Sequence, residues 1–186
     1  MEQNVAKRVP YGIQDFVQVI EQNCYYVDKT AYIPKLEDCP NNLFCIRPRR
    51  FGKSVFLSML HAYYDCRTKD KFQEWFGNLW IGKHPTPLQG RYQVMHLDFS
   101  QVGGSIENLE EKFNFYLGVQ LNGFIRDYLD FYSEKVQKQV EDAKDAGGKL
   151  AIIQSEARSK GYPLYLIIDE YDNFTNTVLN EQGEDV

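Results

Sequence analysis

Two clusters of side chains in this sequence have the functional groups needed to act on phosphates. The first cluster is the run Arg47-Pro48-Arg49-Arg50-Phe51-Gly52-Lys53-Ser54. The second cluster is the pair Asp169-Glu170. N–H groups at a helix N-terminus favour anions, a lysine reaches terminal phosphates, and a serine hydroxyl is a ligand for Mg²⁺. Carboxylates hold the metal and take a proton from attacking water. The chemistry that these residue types predict is phosphoryl transfer.

The first cluster predicts a phosphate-binding loop. Its last three residues match the usual Gly-Lys-Ser pattern, but Arg47 occupies the position where that pattern has its first glycine. We expect Ser54 to be the Mg²⁺ ligand. The residues expected to contact the nucleotide are Arg49, Arg50, Phe51, Gly52, Lys53, Ser54 and Val55. The alternative is a surface turn whose basic residues lie at the start of a core helix.

The second cluster follows the apolar run at residues 164–168 directly. Carboxylates at this position lie at the carboxyl edge of a sheet, so we expect Asp169 to hold Mg²⁺ or its water and Glu170 to be the catalytic base. The alternative is that Asp169 and Asp172 cap a following helix. Taken together, the two clusters favour binding of ATP with Mg²⁺.

The elements that must position these clusters alternate along the chain. Short apolar runs predict strands at residues 43–46, 94–99 and 164–168. Apolar spacing predicts helices at residues 53–64 and 106–131, and a charged helix at 133–144 that a Gly147-Gly148 turn separates from a helix at 150–159. The fold class predicted is α/β, with a mainly parallel sheet flanked by helices. We expect one domain over residues 1–186, with residues 1–42 as an N-terminal extension that wraps the sheet.

Composition limits the other classes of function. The chain has 186 residues, a net charge of -5 and 25% charged residues, which is typical of an ordered globular domain and lacks the basic balance of a general nucleic-acid-binding face. Its cysteines, Cys24, Cys39, Cys45 and Cys66, form no CxxC pair, so no zinc site is expected. Neither a secretory signal nor an apolar run of membrane-spanning length is present, and a cytoplasmic location is expected.

Five segments of the sequence resemble the AAA-ATPase-like proteins of bacteria and archaea, a divergent P-loop group. The similarity covers nearly the whole chain, and the loop at residues 47–53 has that family's own form, which accounts for the missing first glycine. The segments are Tyr11-Gly12-Ile13 with Asp15-Phe16, Tyr25-Tyr26-Val27-Asp28-Lys29-Thr30, residues 47–54, Leu97-Asp98-Phe99-Ser100 and Ile168-Asp169-Glu170-Tyr171-Asp172.

The resemblance implies a P-loop NTPase fold and an Mg²⁺-dependent ATP-binding module that hydrolyses ATP in the intact protein. Many members continue into a restriction-nuclease-like domain that this chain does not contain, so nucleic acid is expected as a partner only through such a part. After Asp172 many members have a basic residue and a proline, whereas Asn173-Phe174 stand here.

The resemblance also implies a later strand after Asp169, placed between the strands that carry the two clusters. Residues 171–186 are too polar for a buried central strand. We therefore expect the chain to be the N-terminal portion of a longer ATPase, with an incomplete sheet and weak hydrolysis by itself.

Two other functions remain open. One is a nucleotide-binding regulatory switch that does not hydrolyse ATP, and the presence of Glu170 argues against it. The other is a DNA-binding module that uses the basic residues 47–53, against which the mixing of acidic with basic residues elsewhere counts. Tyr25 and Tyr26 are candidates to stack on the adenine, although paired tyrosines more often lie in a core or interface. Asp98 is expected mainly to accept hydrogen bonds.

Overall fold

The computed structural model describes residues 6–40, 42–46, 51–101 and 108–171. The chain divides into two compact units, Met1–Arg91 and Tyr92–Val186. Arg47 to Arg50 lie outside the described residues, and so do residues 172–186, among them Asp172, which the alternative takes as a helix cap.

The first unit is helical in its described residues. An aromatic cluster joins three of its helices, because the Phe16 ring stacks on Phe76 at 4.9 Å and the Tyr63 ring meets Phe76 edge-on at 5.6 Å between centroids. Its helices are α1 (Phe16–Glu21), α2 (Ile33–Glu37), α3 (Lys53–Tyr64), α4 (Phe72–Phe76) and α5 (Trp80–Lys83). The helix predicted at residues 53–64 is confirmed as α3 with the same bounds.

The second unit contains a small parallel sheet flanked by helices, which confirms the mixed α/β class. Strands β1 (Gln93–Asp98) and β2 (Leu164–Asp169) pair in parallel, with Gln93 opposite Leu164 and Asp98 opposite Asp169. Both were predicted within one residue. The helices are α6 (Leu109–Asp127), α7 (Glu134–Asp142) and α8 (Ala146–Ser159), and α8 packs against both α6 and α7.

Helix α6 is shorter than predicted. It ends at Asp127, before a 3-10 turn at Leu129–Phe131, and residues 102–107 lie outside the described part of the chain. The buried Tyr128 explains this end, since its hydroxyl accepts a hydrogen bond from the Val94 N–H at 2.7 Å and so holds the chain against the start of β1. Neither α6 nor any other described helix has the length and apolarity needed to cross a bilayer.

Two predictions about local structure are wrong. Residues 43–46 do not form a strand, and Phe44 and Ile46 are 80% and 86% exposed. A strand needs a hydrogen-bonded neighbour, and in the described residues β1 and β2 pair only with each other.

Gly147-Gly148 is not a turn between helices but lies in the first turn of α8. The Asp145 carboxylate caps this helix by accepting a hydrogen bond from the Gly148 N–H at 2.7 Å. Such a cap offsets the low helix propensity of glycine, so the helix begins before the glycines.

Candidate functional site

The N-terminus of α3 begins on a left-handed glycine. Gly52 is the N-cap residue with φ of 72° and ψ of 32°, and its carbonyl accepts the Phe56 N–H at 3.1 Å to close the first turn. A positive φ of this size favours glycine because a Cβ would crowd the following carbonyl. Lys53 and Ser54 therefore stand in the first turn of a regular helix, where N–H groups and the helix dipole favour an anion.

The other residues expected to contact the nucleotide differ in position. Arg49 and Arg50 lie outside the described residues. Phe51 is exposed, whereas Val55 lines a cavity beside α3. The structure thus brings Gly52, Lys53, Ser54 and Val55 together at one helix end.

Lys29 is a residue at this helix end that the sequence argument missed. A methyl group built on Gly52 would lie 3.5 Å from Lys29 Nζ. Within the described residues, the ammonium makes no hydrogen bond or ion pair. Its sequence signal is its place in the segment at residues 25–30, one of the five that resemble the family. A second lysine charge therefore lies beside the glycine of the expected phosphate loop.

The neighbours of Lys29 explain its position. The Asp28 carboxylate accepts hydrogen bonds from the Thr30 N–H at 2.8 Å and hydroxyl at 2.7 Å, and from the Trp80 N–H at 2.7 Å. The buried Thr30 hydroxyl also accepts from the Ile81 N–H at 3.1 Å. Both residues that flank Lys29 are thereby fixed to the start of α5, which holds the backbone at Lys29 in place.

A cavity of about 130 Å³ lies between the N-terminal segment and the start of α3. Gly52 and Lys29 line it together with mostly apolar side chains. These are Pro10, Ile13, Val19, Tyr25, Tyr26, Val27, Val55 and Phe56. The cavity therefore joins an apolar, aromatic lining to the charged helix end.

The N-terminal wall of this cavity is tied to α3 by a serine. The Ser58 hydroxyl donates to the Asp15 carboxylate at 2.7 Å and accepts from the Phe16 N–H at 3.0 Å. The other Asp15 oxygen caps α1 by accepting from the Gln18 N–H at 2.8 Å. One carboxylate thus starts α1 and anchors it to the helix that carries Lys53.

The far end of α3 is held by a buried ionic cluster. Asp65 is 1% exposed, and its Oδ2 lies 2.9 Å from Arg67 Nη2 and 3.3 Å from His61 Nε2. Burial alone would raise the pKa of Asp65, but the hydrogen bonds from His61 and Arg67 outweigh it and hold that pKa below its usual value. The ionised Asp65 therefore stabilises the C-terminal end of the helix.

In the second unit, two carboxylates share the carboxyl edge of the sheet. Asp98 and Asp169 are register partners at the ends of β1 and β2, and residues opposite each other in a sheet face the same side. Asp169 is buried and its Oδ1 accepts the Glu170 N–H at 2.9 Å. The exposed Asp98 accepts the Ser100 N–H at 2.9 Å, which is the hydrogen-bonding role expected for it.

Glu170 adopts a backbone conformation that is unfavourable for its residue type. Its φ is 53°, in the left-handed region, and its side chain is half-buried. For a residue other than glycine this costs roughly 1–2 kcal/mol. Strain of this kind concentrates at functional sites. The strand therefore ends in a sharp change of direction at the residue expected to act as base.

The described residues offer single oxygen donors rather than a complete metal site. No group of three or more His, Cys, Asp or Glu residues placed to hold a metal occurs in the described ranges. Mg²⁺ bound with a nucleotide takes one or two protein oxygens and completes its shell with phosphate oxygens and water. Ser54 in the first unit and Asp169 in the second each offer one oxygen donor of this kind.

Comparison with known proteins identifies similar sequences. The model of the AAA-ATPase-like family, described as predicted AAA-ATPase, matches residues 10–185. A curated relative from Azotobacter chroococcum mcd 1, described as an uncharacterized protein in the vnfD 5' region, is 27% identical over 172 residues. The match covers 89% of this chain but 29% of the relative's length. No solved structure matches the chain.

Proposed function

The chain belongs to the predicted AAA-ATPase family, and on this basis we propose that it binds ATP with Mg²⁺ at the N-terminus of α3. The observation that carries the proposal is the left-handed Gly52 directly ahead of Lys53 and Ser54, at the start of a regular helix. In the proposal, the chain adopts a P-loop fold, the Lys53 ammonium contacts the terminal phosphates, and Ser54 is a metal ligand.

The remaining loop residues have supporting roles in the proposal. Arg49 and Arg50 add positive charge toward the phosphates, since guanidinium groups match phosphate geometry. Phe51 and Val55 complete the loop around the nucleotide. The 130 Å³ cavity beside Val55 supports placing the ligand here rather than along an extended basic surface.

We further propose that the bound ATP is hydrolysed. Bound Mg²⁺ supplies positive charge that offsets the charge on the phosphate oxygens. Asp169 is the carboxylate ligand, and Glu170 orients a water molecule and takes its proton as the water oxygen attacks the terminal phosphorus. The bond from that phosphorus to the ADP oxygen breaks, giving ADP and inorganic phosphate. The strained backbone of Glu170 supports a functional role for this residue.

Binding is tested by the stabilisation of the first unit with Mg-ATP. Both tryptophans, Trp75 and Trp80, lie in that unit, so their fluorescence follows its unfolding. At about a hundred times Kd, the ligand should stabilise the wild type by about 2.7 kcal/mol. Lys53→Ala should lose this gain, whereas the control Lys71→Ala, which removes an exposed lysine paired with Glu74, should keep it. Equal stabilisation of both variants would refute the assignment of Lys53.

Hydrolysis is tested in the intact protein by phosphate release from Glu170→Gln, with Glu134→Gln at the exposed start of α7 as control. A positioned base contributes roughly 10²–10⁴-fold, so Glu170→Gln should bind Mg-ATP and lose turnover by that factor. Asp169→Ala should weaken binding only when Mg²⁺ is present. If Glu170→Gln releases phosphate at the wild-type rate, another group orients the water. If the intact protein binds ATP and releases no phosphate, the regulatory-switch alternative is correct.

A further inference from the structure

We infer that the cavity between the N-terminal segment and α3 holds the purine base of the nucleotide, with Lys29 contacting its phosphates. The inference rests on the proposed function and adds to it the surface that recognises the base. It assigns a ligand-binding role to Pro10, Ile13, Tyr25, Tyr26 and Lys29, which precede the phosphate loop in the sequence.

The size and position of the cavity favour a base over a whole ligand. Sites for complete small molecules usually enclose roughly 300–1,000 Å³, so a volume of about 130 Å³ suits one flat ring system. Gly52 and Val55 form part of its lining, at the helix end where the phosphates are proposed to bind. A base in the cavity would therefore leave its sugar and phosphates directed to the start of α3.

The lining has the chemistry of a base-binding site. Tyr25 and Tyr26 supply aromatic rings, and Pro10, Ile13 and Val55 supply apolar surface. Aromatic side chains stack on purines with a favourable free energy of about 1–3 kcal/mol per base. Tyr25 is mostly exposed, so a stacked base would cover part of its ring.

Tyr26 also offers a polar group for the edge of the base. Its hydroxyl is buried and makes no hydrogen bond of normal geometry to the described residues. Burial raises the pKa of this phenol and the Asp28 carboxylate adds to the rise, while the nearby Lys29 N–H offsets part of it. The hydroxyl therefore keeps its proton at neutral pH and is able to donate to a ring nitrogen or accept from an amino group. Buried polar groups usually find a partner, and a bound purine would provide one after a small rotation of the Tyr26 side chain brings the hydroxyl to the cavity.

Lys29 connects the cavity to the phosphate loop. It lines the cavity, and its Nζ lies 3.5 Å from a methyl group placed on Gly52. Asp28 and Thr30 fix the backbone on both sides of it, so this backbone need not be ordered when the ammonium meets a phosphate. Its charge lies where the sugar-phosphate part of the ligand leaves the cavity.

The test compares two probes, Mg-ATP and Mg-tripolyphosphate, by calorimetric titration of the whole chain. Tripolyphosphate has the phosphates without the base. Tyr25→Ala should weaken Mg-ATP binding about tenfold through lost stacking, and Tyr26→Phe about fivefold through one lost hydrogen bond. Neither variant should change the affinity for tripolyphosphate by more than about twofold, which is the size of coupling usual between independent sites. Lys29→Gln should weaken both probes about tenfold, because it removes a charged phosphate contact. Tyr11→Ala, at an exposed tyrosine that does not line the cavity, should change neither.

The outcomes separate this inference from the proposal beneath it. If the two tyrosine variants bind Mg-ATP as tightly as the wild type, or lose affinity for both probes equally, the base does not occupy the cavity. If Lys29→Gln binds both probes like the wild type, the phosphate contact is refuted. If the wild type binds neither probe, the proposed nucleotide-binding function itself fails. Tyr26→Phe removes a single oxygen atom, so a loss of folding does not obscure the result.

Discussion

Substitution of Gly52 by alanine tests the local structure at the start of α3. A Cβ at Gly52 would meet only Lys29 Nζ, at 3.5 Å among the described atoms, which is ordinary van der Waals contact. The added methyl group therefore causes no clash, and the cost comes from the backbone alone. With φ at 72°, alanine should destabilise the first unit by about 1–2 kcal/mol.

Gly12 provides a matched control. Its φ is 73° and an added Cβ would have no neighbour within 4 Å among the described atoms, so Gly12→Ala should cost the same free energy. The two variants should differ in binding, because only Gly52 lies at the helix end that carries Lys53. We expect Gly52→Ala to weaken Mg-ATP binding beyond its effect on stability. Gly52→Asn should recover part of the stability, since asparagine tolerates the left-handed region.

The assay is urea unfolding followed by the fluorescence of Trp75 and Trp80. For a typical slope of about 2 kcal/mol/M, the expected loss lowers the unfolding midpoint by roughly 0.5–1 M in both alanine variants. A wild-type midpoint for Gly52→Ala would show that Gly52 is not left-handed in solution. Equal weakening of Mg-ATP binding by Gly12→Ala would show that the effect is not local to the loop.

Three further results are expected. The pKa of Asp65 is lowered from 3.8, so its ionised form stabilises the first unit above that pH, and this stability is lost as the pH falls through the lowered pKa. Asp65→Asn should therefore make the free energy of unfolding, followed by tryptophan fluorescence, depend less on pH in acid. It should also cost about 2 kcal/mol at neutral pH. Burial raises the pKa of Cys66 to about 11, so mass spectrometry should find it alkylated far more slowly than the exposed Cys39, and equal rates would contradict its burial. Glu170→Gly should stabilise the second unit by about 0.5–1 kcal/mol in circular-dichroism melts while removing turnover, and a loss of stability would show that no strain is released.

The sequence predicted the elements whose pattern is local. Helix α3 has apolar residues at helical spacing behind a glycine, and β2 is an unbroken apolar run, so short windows were enough to identify both. The run at residues 43–46 has the same local pattern as β2 and yet is not a strand. Its outcome depends on whether another strand pairs with it, and this long-range information is not contained in a short window.

The candidate site was predictable in its residue types and less so in its geometry. The Gly52-Lys53-Ser54 turn followed from spacing, because glycine is the residue that the left-handed cap requires. The left-handed φ of Glu170 was not predictable, since glutamate has no preference for that region. Lys29 was missed because it precedes Gly52 by more than twenty residues and approaches it only through the packing of the first unit.

The hydrogen bonds around Lys29 explain why the N-terminal segment matters to the site. Both carboxylate oxygens of Asp28 are engaged, and the Thr30 hydroxyl both donates and accepts, so these two residues fix the segment to the start of α5. Lys29 lies between them, and its ammonium makes no such bond within the described residues. Displacement of the Thr30 hydroxyl would leave the buried Ile81 N–H without an acceptor, at a cost of about 1–3 kcal/mol. The anchors therefore resist displacement. The segment therefore holds one positive charge beside Gly52 at a position that α3 alone does not determine.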